Sequence, residues 1–167
     1  MADITSGLIG LVGVILGGSM SSLSNYFLAR AERKRFARER IWDLRREVYT
    51  KIIAKMGEIE RDAEEDYLNF TDERGGDNYQ GSKAQDASLK AIVIREHELR
   101  EMILHNRIII GNVVAEWYAT MINELGELET NRPAYEPYEF SKAYHEIVGE
   151  QFQKVLTLAQ RELAVSG

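Results

Sequence analysis

Ile4–Ala29 reads ITSGLIGLVGVILGGSMSSLSNYFLA, and Arg30–Arg40 directly after it reads RAERKRFARER. The first stretch is 26 residues without a charge; the second carries six Lys/Arg against two Glu. A helix rising about 1.5 Å per residue makes the uncharged stretch about 39 Å long, enough for a hydrocarbon core of about 30 Å with some tilt. Twelve of its residues are large and apolar, five are Gly and five are Ser. A buried helix in water would rarely keep five glycines, each costing about 1 kcal/mol against Ala. A cleaved signal peptide carries a basic n-region, whereas Met1–Thr5 holds only Asp3. The stretch therefore reads as an uncleaved transmembrane helix over residues 1–29.

Charge sets the direction. Residues 30–46 hold eight basic and three acidic residues, while residues 47–167 have a net charge of −10 in a chain of net −6. Basic residues stay on the cytoplasmic side of a span, so the expectation is an N-terminus outside and a cytoplasmic C-terminal body, as in a bacterial inner membrane. The collar residues Arg30, Arg33, Lys34, Arg35 and Arg38 are suited to anionic lipid headgroups. Repeated around an oligomer, they would also form a ring favouring anions. A nucleic-acid polymer is disfavoured by the acidic body and by the collar's closeness to the bilayer.

Small residues recur every three or four positions along the span. Helix backbones approach closely along such stripes, and Ser or Asn adds hydrogen bonds between helices. The stripe predicts a homo-oligomer. Three readings of it stand side by side: a packing seam, the lining of a narrow pore built from Gly10, Gly17, Ser21, Ser24 and Asn25, or a monomeric anchor whose glycines are incidental. Polar residues at membrane depth need a partner or water, which a lumen supplies.

The body is expected to be helical, with no strand signal. Ile41, Leu44, Val48, Ile52, Met56, Ile59, Ala63, Tyr67 and Phe70 are spaced at a mean of about 3.6 residues, the period of an amphipathic helix in a bundle. Thr71–Ser82, with three Gly, breaks it. A second helix is expected from Lys83–Asp86 to about Glu129, with Ile108–Ile122 as its most buried stretch. A third runs from Pro137, a favourable first helical residue, to Ala164. The fold class is thus all-α: a single N-terminal transmembrane helix continuing into an antiparallel three-helix cytosolic bundle over residues 47–167, after the collar at 30–46.

Chemistry is sparse. The chain has no Cys, which excludes disulfides, thiolate metal sites and cysteine nucleophiles. It lacks the phosphate-loop, dinucleotide, zinc-protease and nucleophile-elbow patterns. His97, Glu101 and His105 share a helix face, but their ends lie about 12 Å apart, too far for one ion. No enzyme and no cofactor is expected. The Gly-rich loop, with Arg74, Gly75, Gly76, Gly81 and Lys83, is a candidate ligand loop, because glycine lets backbone amides approach an anion. The layout resembles that of small membrane effectors of antiphage defence gated by a cytosolic ligand sensor. Function is accordingly expected to be either a pore-forming or membrane-disrupting effector gated by the bundle, or an anchored adaptor whose acidic bundle recruits a protein partner.

Overall fold

The computed structural model describes residues 2–71 and 78–165, with residues 2–25, Phe27 and Val165 described through their backbone alone. Four α-helices account for it: α1 (Ala2–Asn69), α2 (Lys83–His105), α3 (Arg107–Thr130) and α4 (Pro137–Val165), with one 3-10 turn at Arg132–Ala134. No strand occurs among the described residues. The chain forms two compact units, Met1–Ile41 and Trp42–Gly167. α1 runs through both.

Local chemistry explains where the helices start and stop. α1 is free of Gly and Pro from Arg30 to Met56 and carries i,i+4 ion pairs, Arg35–Glu39 at 2.9 Å and Glu47–Lys51 at 2.6 Å. Ser82 caps α2 by accepting a 3.2 Å hydrogen bond from the Gln85 N–H. Pro137 opens α4, and the Glu136 N–H reaches the Glu139 carboxylate at 3.3 Å. At the C-terminal ends of α2 and α3, Asn106 and Asn131 each turn a side-chain amide back, at 2.8 Å, onto the carbonyl of Met102 and Glu127 respectively.

The expected single helix over 83–129 is two helices, so the body has four helical segments rather than three. The helix breaks at Asn106 (φ −104°, ψ 11°) and the chain reverses at Gly111, whose φ is +74° with ψ −174°. Only glycine enters that backbone region without strain. Glu96 feels the Glu129 charge, and Tyr118 that of Arg100, so α2 and α3 lie antiparallel with the reversal between them. The Nε of Arg45 donates to the Ile109 carbonyl at 3.0 Å, fastening the reversal to the start of the Trp42–Asn69 segment.

The remaining pairings are also antiparallel. Lys55 pairs with Glu98 at 2.8 Å, while Asp62, further along α1, pairs with the earlier Arg95. The Trp42 indole donates to the Leu163 carbonyl at 3.5 Å, and Tyr67 meets Tyr138 at the other end of α4. The core between the four segments is built from Tyr49, Ile52, Met56 and Ile59, from Leu99 and Ile103, from Ile110, Val114, Trp117 and Met121, and from Val148, Val155 and Ala159. Burying each large apolar side chain contributes about 1.5–3 kcal/mol.

Two packing expectations need correction. Ile41 and Leu44 are exposed, and the core face of α1 begins at Val48. The stretch 108–122 is not uniformly buried: Ile108 is 99% exposed and Ile122 41%, while Asn112 and Glu116 face solvent. One face of α3 carries Ile110, Val114, Trp117 and Met121 inward, so the long apolar run overstated its burial.

Candidate functional site

Three features of the structure bear on function. The first is the collar. Arg30, Arg33, Lys34, Arg35 and Arg38 are all exposed on α1, and Arg35 is held by Glu39. Phe36 stands among them 69% exposed. Cations beside an exposed aromatic ring suit an interface that is anionic at its surface and apolar beneath. Gly10, Gly17, Ser21, Ser24 and Asn25, the expected oligomer or pore stripe, lie outside the residues whose side chains are described. Among the described residues, no helix is long and apolar enough to cross a membrane.

The second is a cleft of about 350 Å³ at the end of the bundle away from Trp42, between the entry to α2 and the entry to α4. Gln80, Gly81, Gln85 and Leu89 form one wall, Arg132, Tyr135, Pro137 and Phe140 the other, and Asp66 and Ser141 contribute to the lining. Asp66 is only 5% exposed, and both its oxygens are engaged. Oδ1 accepts from Tyr79 Oη at 2.7 Å and Oδ2 from Ser141 Oγ at 2.6 Å. Burial and the adjacent Asp66 push the Tyr79 hydroxyl up to about 12; it stays a donor at ordinary pH. The Arg132 guanidinium lies 4.7 Å over the Phe140 ring and 3.5 Å from Glu129. Gly81 has φ +70° and directs its N–H onto the Gln85 side chain at 2.7 Å. Of the expected ligand loop, Gly81 lines this cleft, and Lys83 is exposed on the first turn of α2. Arg74, Gly75 and Gly76 lie outside the described residues.

The third is a groove of about 570 Å³ between α3 and α4, walled by Glu124, Glu127, Glu146 and Glu150 with Leu128 and Ile147 at its base. Lys154 sits 4.0 Å from Glu124 and 3.8 Å from Glu150, and Gln151 donates its side-chain amide to Glu124. Lys142 lies 3.9 Å from Glu146, and four carboxylates against two lysines leave the groove acidic.

Sequence reasoning missed a half-buried acid. Glu96 accepts a 2.6 Å hydrogen bond from Tyr144 Oη. Burial raises its pKa, the Tyr144 hydrogen bond opposes that, and the Glu129 charge adds to it. The Tyr144 hydroxyl is itself pushed far up by burial and by Glu96. His105 Nδ1 lies 3.6 Å from the Glu101 carboxylate and 2.7 Å from its backbone carbonyl. No group of three potential metal ligands gathers among the described residues. No known protein family, curated protein or solved structure matches the chain.

Proposed function

We propose that this chain is a single-pass membrane protein, N-terminus outside and bundle in the cytoplasm, that assembles into a homo-oligomer and acts as a pore-forming effector gated by its helical body. The observation that carries the reading is the collar: five cationic side chains, all exposed on α1 directly after a charge-free stretch of 26 residues. That order, apolar length and then solvated cations, is what a span ending at a cytoplasmic surface requires. The small-residue stripe supports self-association. The distal cleft supports gating, since a ligand bridging the α2 and α4 entries would bias two arrangements of the helices.

The decisive experiment is reconstitution of the full chain into anionic vesicles. The protein should resist alkaline extraction, run as a defined oligomer and pass dye or current, with Ser21→Leu and Asn25→Leu reducing passage. Embedded oligomers that leave the vesicles tight with every ligand tried would remove the pore. A second reading, the anchored adaptor, then stands on the acidic groove, whose four carboxylates match a lysine- or arginine-rich partner segment. Replacing residues 1–29 with an unrelated span discriminates the two: an adaptor keeps its activity and a pore loses it.

A further inference from the structure

The cleft at the entries to α2 and α4 contains a charge that the fold leaves half answered. Asp66 lines it and is 5% exposed, yet both its hydrogen bonds come from neutral hydroxyls, Tyr79 at 2.7 Å and Ser141 at 2.6 Å. Among the described residues no Lys, Arg or His forms an ion pair with it. A buried carboxylate is ordinarily matched by a positive charge. It also offers about four lone-pair sites, so acceptor capacity remains at Asp66 beyond its two hydroxyl donors.

The same cleft holds a cation. The Arg132 guanidinium lies 4.7 Å over the Phe140 ring, which keeps its planar fork at the wall, ready for a carboxylate taken two-pronged. Its ion pair with Glu129, at 3.5 Å, joins two largely exposed side chains and is weak for that reason. The opposite charges are anchored on consecutive residues of α4: Arg132 on Phe140, Asp66 on Ser141. Gln85 adds a neutral donor, because its Oε1 accepts the Gly81 N–H at 2.7 Å and its Nε2 has no partner among the described residues. Leu89 and Pro137 make the rest of the lining apolar.

We propose that this cleft binds a free α-amino acid with an apolar side chain, its ammonium on Asp66, its carboxylate on Arg132 and Gln85, and its side chain against Leu89 and Pro137. The volume of about 350 Å³ is near the lower end of the range for ligand sites, about 300–1,000 Å³, and suits one such molecule. A phosphate ester or simple anion would bring negative charge onto a carboxylate that is already buried. A plain amine would leave Arg132 unanswered and set a second cation beside it. A zwitterion meets both charges. This rests on the gated reading above, in which a ligand in this cleft biases the helices, and it names that ligand's class.

The test is calorimetric titration of the full chain in detergent with L-leucine and L-phenylalanine. Two companion probes each lack one charge: phenethylamine has no carboxylate, and 3-phenylpropionate has no ammonium. At least one amino acid should bind, and each single-charge probe should bind at least about tenfold more weakly, the loss expected for one charged hydrogen-bonding group. Arg132→Gln, at an exposed position where the fold tolerates change, should weaken the amino acid by a similar factor and leave phenethylamine unchanged. No binding of either amino acid at millimolar concentration overturns the proposal, and so does binding that Arg132→Gln leaves intact. Phenethylamine or 3-phenylpropionate binding as tightly as the amino acid overturns it in favour of a site for one charge only. Dye passage through vesicles separates this from the gated reading. Passage by a chain that binds no amino acid removes the site and keeps the pore, whereas binding that never alters passage keeps the site and removes the gate.

Discussion

The hydroxyl of Ser141 on α4 donates a 2.6 Å hydrogen bond to Oδ2 of Asp66 on α1, joining residues 75 positions apart inside the bundle. With Tyr79 on the other oxygen, this one carboxylate ties the end of α1 to the segment before α2 and to the first turns of α4. Hydrogen bonds to a charged acceptor contribute about 1.5–3 kcal/mol, and stripping a buried charge of its donors costs at the upper end. Ser141→Ala and Tyr79→Phe should each destabilise the protein by about 1.5–3 kcal/mol in urea unfolding, and the pair should couple non-additively. A Ser141→Ala variant within 0.5 kcal/mol of wild type, taken as about the scatter of neutral surface changes, would remove the carboxylate as a structural junction.

Backbone geometry makes a second, opposite-signed pair of expectations. Gly111 turns the chain at φ +74° with ψ −174°, and an Ala there should cost about 1–3 kcal/mol, although open space surrounds its Cβ position. Gly126 and Gly149 lie inside α3 and α4 at helical dihedrals, also with nothing near a Cβ. Gly126→Ala and Gly149→Ala should therefore stabilise by about 0.5–1 kcal/mol. Thermal melts of the three variants separate the turn from the helices, and a neutral Gly111→Ala would dismiss the reversal.

The two sides of that comparison mark what the sequence makes legible. The periodicity of Val48, Ile52, Met56, Ile59 and Ala63, the Ser82 cap and Pro137 each locate an element from local chemistry, and the helices follow. The reversal at Gly111 was hidden because Ile108–Val114 is apolar on both sides of it, so the helical period runs on across the break. Glu96, Asp66 and Gln151 are a different case. Each sits in core register, Glu96 between Ile92 and Leu99 and Asp66 between Ala63 and Phe70. A polar residue at such a position is a signal that a partner waits on another helix. Which partner depends on how helices are assembled, as Tyr144 and Ser141 illustrate, and no spacing along one helix contains that.

Glu96 also gives the fold a pH dependence of definite sign. Its pKa is raised in the folded state, chiefly by burial, above an ordinary 4.5. A raised acid is bound to its proton more tightly when folded, so its contribution is fully present below 4.5 and is lost as pH climbs through the raised value. Glu96→Gln removes the charge and leaves an oxygen for the Tyr144 hydroxyl. The variant should melt above wild type at pH 7, with the gain shrinking as pH falls toward 4.5. Equal melting shifts at both pH values would show that Glu96 is not the titrating group. Tyr144→Phe removes the hydroxyl that donates to this acid and should enlarge the benefit of the Gln substitution.

The collar should determine which way the protein faces rather than whether it binds. If residues 4–29 span the bilayer, the apolar length alone holds the chain in place, while the basic flank decides which end stays in the cytoplasm. Changing Arg30, Arg33, Lys34, Arg35 and Arg38 together to Gln removes about 1 kcal/mol of headgroup attraction per residue and the orientation signal with it. Ala87 is exposed on α2, so Ala87→Cys in this cysteine-free chain provides one reporter thiol on the body. In intact cells a membrane-impermeant maleimide should leave that thiol unlabelled when the collar is present and label a substantial fraction when it is neutralised. Both forms should remain in the alkaline-washed membrane pellet. Release of the neutralised form into the supernatant would instead mean that the cations alone attach the protein to the surface, and residues 4–29 would no longer count as a span.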